Sequence, residues 1–206
     1  MSDLGTKERI IEEALELFSK KGYAGTSIKE IASAVSIKDS SLYKHFKSKK
    51  EIFDTIVTIM GNRMEQLATD LHFPDLSERG IEQYGSMNLD YLIELTQKVF
   101  LYYAKDDFAA KFRRMLTIEQ YNNSETASLY RKIYMEDSIQ YQTLMFEKLV
   151  KQGFLKEADP LTLAINYYTP IFYFISRYDN DDSKEQEALD MVKSHVTEFY
   201  RIYNRH

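Results

Sequence analysis

The stretch Ser27–Glu51, SIKEIASAVSIKDSSLYKHFKSKKE, decides how this chain is read. Ser27-x-x-Glu30 is a capping box, in which the serine oxygen takes the N3 amide and the glutamate reaches back to the cap. It opens a short helix through Ile28, Ile31, Ala32 and Val35. Ser36 and Ile37 interrupt that helix, and Asp39 or Ser40 then caps a second one carrying Leu42, Tyr43 and Phe46. A second capping box, Ser48-x-x-Glu51, starts a longer helix bearing Ile52, Phe53, Ile56, Ile59 and Met60. Two short helices joined by a tight turn make a helix-turn-helix.

The rest of the chain extends the same helical logic. Upstream, Ile10, Ile11, Ala14, Leu15, Leu17 and Phe18 fall at helical spacing, with Lys7, Glu8, Glu12, Glu13 and Glu16 on the other face. Thr6 is the expected N-cap of this first helix and Gly22 its stop. Downstream, the fourth helix runs to about Leu71, and a fifth spans about Ser77 to Ala104. A sixth covers about Asp107 to Tyr121, and a seventh runs from Ser124 to about Gln152, closed by Gly153. Asp159-Pro160 starts an eighth with Asp as N-cap and Pro at N1, kinked near Pro170. Ser183-x-x-Gln186 opens a ninth, with Ala188, Leu189, Val192, Val196, Phe199, Tyr200 and Tyr203 along one stripe. The fold class is all-α, with about nine helices.

Composition agrees. Gly (7) and Pro (3) are scarce among 206 residues, whereas a β-sandwich or a Gly-rich nucleotide-binding sheet needs many turn residues. The absence of cysteine removes disulfides, zinc-thiolate sites, iron–sulfur clusters and thiol nucleophiles. MSDLGTKERI has no apolar run of the kind a secretory leader needs. The most apolar stretch, Leu161–Ser176, is too short for a bilayer and is broken by Asn166, Thr169 and Pro170. The expectation is a soluble, cytoplasmic protein with no membrane partner.

The net charge of −5 hides an asymmetry: residues 20–50 hold eight Lys against Glu30 and Asp39, a local charge of +6. A compact basic segment on an acidic chain points to one surface that meets a polyanion; a solvated lysine-rich face is the plainer alternative. A reading helix must offer short polar side chains to base edges while its flanks hold phosphates. Lys38, Ser40, Ser41 and Lys44 suit the first task. Leu42 and Phe46, at i and i+4, anchor the opposite face. Tyr43 and His45 are placed to donate to phosphate oxygens, although Tyr43 also suits a core position. Lys47, Lys49 and Lys50 surround the N-terminus of the next helix, whose dipole adds to their charge. Thr26 and Ser27 can act in the same way from the start of the preceding helix.

These residues carry a resemblance. Residues 6–53 resemble the DNA-binding domain of the tetracycline-repressor (TetR) family of bacterial transcriptional regulators. The matching positions are Ile10, Ala14, Leu17, Phe18, Gly22-Tyr23, Thr26-Ser27, Ile31-Ala32, Leu42-Tyr43-Lys44-His45-Phe46 and Lys47-Ser48-Lys49-Lys50-Glu51. The resemblance implies a three-helix DNA-binding domain in residues 1–50 and a helical ligand-binding and dimerisation domain in residues 51–206. It also implies a homodimer, formed through the last two helices, that sets two recognition helices on a pseudo-palindromic operator, commonly as a repressor released by a small molecule. Thr26, Tyr43, His45 and Lys49 then hold phosphates, with Ser27 a candidate from its place beside Thr26, and Lys38, Ser40, Ser41 and Lys44 face bases. The turn departs from the family: Ser36-Ile37-Lys38 stands where Gly-Val-Ser is usual. A non-Gly residue at φ > 0 there costs about 1 kcal/mol, and the loss of Ser at position 38 moves the expected cap to Asp39 or Ser40.

Residues 61–206 hold 23 of the 28 Phe and Tyr residues, 14 of them Tyr. Such side chains suit an amphipathic small molecule, and equally a helical core. Met64, Tyr84, Tyr91, Glu94, Tyr130, Tyr134, Tyr168 and Phe172 are the candidate lining of a ligand pocket. No cofactor is implied. An enzyme would draw on His45, His72, His195, His206 and scattered carboxylates, with no His-x-x-x-His, His-Glu-x-x-His or phosphate-cradling Gly loop. The chain is therefore read as not an enzyme. A helical adaptor or small-molecule-binding protein explains the bundle, but not the lysine concentration.

Overall fold

The computed structural model describes residues 5–205, which fold as two compact units. The first comprises the chain up to Ala68 together with Asp107–Arg131, and the second comprises Thr69–Asp106 with the chain from Lys132 onward. Among the described residues the elements are helical, apart from an isolated antiparallel bridge between Leu155 and Asn204.

In the first unit, α1 (Thr6–Lys21), α2 (Ile28–Ala34), α3 (Asp39–Leu42) and α4 (Lys49–Asp70, to Ala68 here) are joined by α7 (Asp107–Glu119) and α8 (Ser124–Arg131). Ile10, Ala14, Leu15 and Phe18 of α1, Ile31 and Ala32 of α2, Leu42 of α3 and Ile52, Ile56 and Met60 of α4 are buried. Ala109, Phe112, Met115 and Leu116 of α7 are buried as well. Lys111 of α7 bonds Glu16 of α1 at 2.7 Å, and this pairing holds the Glu16 carboxyl below its usual range.

The second unit has α5 (Glu78–Gly85), α6 (Leu89–Lys105), a π turn (Lys132–Glu136), α9 (Asp137–Lys151), α10 (Pro160–Arg177), a 3-10 turn (Asp182–Lys184) and α11 (Glu185–Tyr203). One core cluster joins α6, α10 and α11 through Phe100, Ile171, Phe174, Val192 and Val196. Another joins α5, α9, α10 and α11 through Ile81, Phe146, Leu149, Leu163 and Phe199.

Several local expectations hold and several shift by a residue. The Ser27/Glu30 capping box is complete. Asp159 caps α10 with Pro160 at N1, Thr162 N–H donating to Asp159 at 2.8 Å. Gly22 and Gly153 take positive φ at the ends of α1 and α9. Ser48 accepts from Glu51 N–H at 3.1 Å, but Glu51 reaches the Lys47 N–H at 2.6 Å. Thr6 is already helical and Gly5 is its N-cap. At the seventh helix, Asn123, not Ser124, caps, accepting from Thr126 N–H at 3.0 Å. The ninth opens at Glu185 because Ser183 donates to Asp181 at 2.6 Å instead of capping.

The fifth helix expected from Ser77 to Ala104 is two helices. Asn88 accepts from Tyr91 N–H at 2.9 Å and starts α6, so the chain breaks after Gly85. The break goes with close packing: a side chain at Gly85 would run into the Phe154 ring. The π turn is held at its own five-residue period, with Lys132 bonding Asp137 at 2.9 Å and Ser138 donating to Ile133 O at 3.2 Å.

Candidate nucleic-acid interface

The turn between α2 and α3 is where the sequence departs from its expected form, and the backbone shows how the chain accommodates it. Ser36 sits at φ 61°. Its N–H donates to Ser33 O at 3.0 Å and the Ile37 N–H donates to Ala32 O at 2.9 Å. That pair of bonds is a Schellman stop with serine in the glycine position. Arg9 of α1 fastens the turn, donating to Val35 O at 2.7 Å.

Lys38, not Asp39 or Ser40, then occupies the N-cap position of α3 with extended backbone and no side-chain cap bond. A lysine ammonium has no acceptor to offer an amide, so α3 begins without a side-chain cap, one residue before the start an Asp39 cap would give. Lys38 O accepts from Ser41 N–H at 2.8 Å, and Leu42 O accepts from Phe46 N–H at 3.0 Å. Leu42 and Phe46 are buried, as the i, i+4 pairing requires, which leaves the other face of α3 outward. Lys38, Ser40, Lys44 and His45 are exposed and Ser41 is half-buried. Tyr43 is 53% exposed, which places it on the surface and not in the core.

Ser27 is exposed, its hydroxyl and N–H both engaged with the Glu30 carboxylate. The Lys21 ammonium and those two Ser27 donors hold the Glu30 carboxyl at about 2. Two residues expected to hold phosphates turn inward instead. Thr26 is 1% exposed and donates its hydroxyl to Gly22 O at 2.9 Å. Lys49 is half-buried and donates to Tyr23 O at 2.7 Å and Thr26 O at 2.6 Å, with its ammonium 4.3 Å from the Tyr23 ring centroid. Burial lowers its pKa from the usual lysine range. Lys47 and Lys50 stay exposed, Lys50 paired with Asp54 at 2.9 Å.

The eight residues expected to line a ligand pocket fall in both units, and the six of the second unit form separate groups. Met64 and Tyr130 belong to the first unit and the other six to the second. Tyr84 alone of the eight lines an aromatic cavity with Leu92, Phe146, Phe154, Tyr167 and Phe199. Its interior of about 50 Å³ has room for a few waters, against the several hundred Å³ of a typical ligand site. Tyr91 and Glu94 share a polar pocket with Asp70, His72 and Lys98. Tyr134, Tyr168 and Phe172 do meet: Tyr168 and Phe172 stack at 6.0 Å, Tyr134 lies 6.1 Å from Phe172, and the Tyr168 hydroxyl donates to Tyr134 O at 2.7 Å. That hydroxyl stabilises the π turn, since Tyr134 sits within it.

Sequence reasoning missed Arg9 and Glu119. Glu119 is 2% exposed and accepts the Ala24 N–H at 3.1 Å, a contact spanning 95 residues. No local pattern could have signalled it.

The arrangement is a helix-turn-helix whose second helix, with the residues flanking it, offers lysine, serine, tyrosine and histidine outward over an apolar anchor. A family profile described as "Bacterial regulatory proteins, tetR family" matches residues 10–56. The chain is 53% identical over 51 residues to the biofilm operon icaADBC HTH-type negative transcriptional regulator IcaR of Staphylococcus aureus (strain Newman). That match covers 25% of this chain and 27% of the relative, so it spans about a quarter of the relative's length. Solved structures of low sequence identity share the fold. A TetR family transcriptional regulator from Pseudomonas syringae pv. tomato aligns over 100% of both chains at TM-score 0.67 and 20% identity. A SmeT–triclosan complex aligns over 97% of this chain and 92% of its own at TM-score 0.64 and 17% identity.

Proposed function

We propose that this chain is a ligand-responsive transcriptional regulator, a repressor, that binds a pseudo-palindromic duplex operator as a homodimer. The observation that carries this reading is the outward face of α3 and its flank. Lys38, Ser40 and Ser41 with Lys44 are assigned to base edges, and Ser27, Tyr43 and His45 to phosphates. DNA reading belongs to residues 1–50; effector binding and dimerisation belong to residues 51–206, of which α7 and α8 pack in the first compact unit. The description of IcaR as a negative regulator supports repression, and the SmeT–triclosan complex supports a small-molecule effector.

Leu161, Ile165 and Tyr173 of α10 and Met191 and Ile202 of α11 are large apolar side chains left exposed. They support a dimer through the last two helices, since apolar area of this kind is normally covered. No described helix is long and apolar enough to cross a membrane, which suits the proposed work on cytoplasmic DNA. No catalytic role is assigned. Effector binding lowers operator affinity by a coupling of about 1–3 kcal/mol, roughly 5–150-fold.

Selection of the purified protein against a random duplex library, at two salt concentrations, tests the reading. Enrichment of an inverted repeat is expected. No enriched sequence, both as purified and after refolding away any bound small molecule, overturns it.

A further inference from the structure

The loop between α1 and α2, residues 22–26, is held from three sides by groups that do not belong to it. Its amide at Ala24 donates to the Glu119 carboxylate of α7 at 3.1 Å. Its carbonyls at Tyr23 and Thr26 accept from the Lys49 ammonium of α4 at 2.7 and 2.6 Å. Its Tyr23 ring lies between Phe18 at 5.5 Å and Phe53 at 5.2 Å, with the Lys49 ammonium over it. Glu119 also lies against Gly22, the positive-φ residue that ends α1, where an added side chain would meet its carboxylate at 3.0 Å. All of these residues lie in the first compact unit.

We infer that Glu119 and Lys49 are positioning residues for DNA binding: a two-sided clip that sets the α1–α2 loop, and with it the start of α2, without touching DNA. This rests on the DNA-binding reading above, and it assigns Lys49 a different task from the phosphate contact the family resemblance implies. An ammonium that already donates to two carbonyls and faces an aromatic ring has little left for a phosphate. A carboxylate that is 2% exposed and accepts a loop amide fixes that loop, because a hydrogen bond to a charged group is among the stronger ones. The clip joins α7, which the sequence reading assigned to the effector domain, to the entry of the reading motif.

The test compares Lys49→Met, Glu119→Ala, Glu119→Gln and Lys44→Met with the unaltered protein on a duplex it has enriched, titrated at several salt concentrations. A lost phosphate contact lowers the slope of log K against log salt by about 0.9 per site. Lys44→Met is expected to show that drop. Lys49→Met is expected to weaken binding roughly tenfold with the slope unchanged. Glu119→Ala is expected to do the same, and a variant carrying both Lys49→Met and Glu119→Ala to lose less than the product of the two single losses, as coupled sites do. Glu119→Gln, which keeps an acceptor oxygen, is expected to restore most of the affinity. Hydrogen exchange reads the clip without DNA: the Ala24 amide is expected to be protected in the unaltered protein and in Glu119→Gln, and to exchange fast in Glu119→Ala. A lower salt slope for Lys49→Met, or unchanged affinity in both Lys49→Met and Glu119→Ala, overturns the inference. If the unaltered protein binds no duplex, the DNA-binding reading falls and takes the positioning role with it, while the exchange data still report whether the clip exists.

Discussion

The two compact units handle their polar and aromatic side chains in opposite ways. In the first, the residues singled out for function are mostly outward: Lys38, Ser40, Lys44 and His45 are exposed above the buried Leu42 and Phe46. In the second, three of the six residues singled out for function pack on one another. Tyr134 is buried in a π turn, Tyr168 bonds its carbonyl, and Phe172 stacks on Tyr168. A surface that reads a polyanion must leave charge and hydroxyls in water, so it leaves a pattern in sequence. An aromatic residue that meets a ligand and one that fills a core have the same helical spacing, so no such pattern separates them.

The largest expected effect is on the anchor beneath the reading face. Phe46→Ala, at a site 1% exposed, is expected to cost about 3–5 kcal/mol by cavity formation, read as a lower midpoint in chemical denaturation. A loss under about 1 kcal/mol would mean that the α3 face is not seated as described, and the contrast between the units would weaken. In the second unit, Gly85→Ala forces a Cβ into the Phe154 ring. Overpacking of about 1–3 kcal/mol is expected, with duplex affinity of the folded protein unchanged. A large change in affinity would show that the α5–α6 break already bears on DNA reading.

Smaller effects sharpen the account of the turn and the cap. Ser27→Ala removes the oxygen that accepts the Glu30 N–H and is expected to cost about 1 kcal/mol. Glu30, held at about 2 against its ordinary value of 4.5, contributes stability that is present above pH 4.5 and lost as the pH falls toward 2. The melting-temperature gap between the unaltered protein and Glu30→Gln is therefore expected to close over that interval; a gap independent of pH would contradict the assignment. Smallest is Ser36→Gly, which relieves the φ of 61° and is expected to gain about 0.5–1 kcal/mol.

What the sequence made legible follows the same division. The capping box at Ser27, the Asp159-Pro160 start and the glycine stops at Gly22 and Gly153 are local devices, and each formed where its residues stand. The strain at Ser36 was readable because only backbone geometry was involved. The inward turn of Lys49 was not, since its partners Tyr23 O and Thr26 O lie 26 and 23 residues away. Glu119 reached its place through the packing of α7 on α1, which no motif announces. The split after Gly85 had a local sign in Asn88, but the apolar pattern continuing on both sides masked it.

The most direct test of the central claim is the salt-dependent affinity of the unaltered protein for its enriched duplex, set beside that of a Tyr43→Ala, Lys44→Ala double variant. A steep fall is expected for the unaltered protein, about 10³–10⁵-fold between 50 and 200 mM salt if six to ten phosphates are held across a dimer. The variant is predicted to bind weakly with a shallower slope while keeping its helical content. Equal affinity and equal slope for the two proteins would contradict it, and the outward face of α3 would have to be given another purpose.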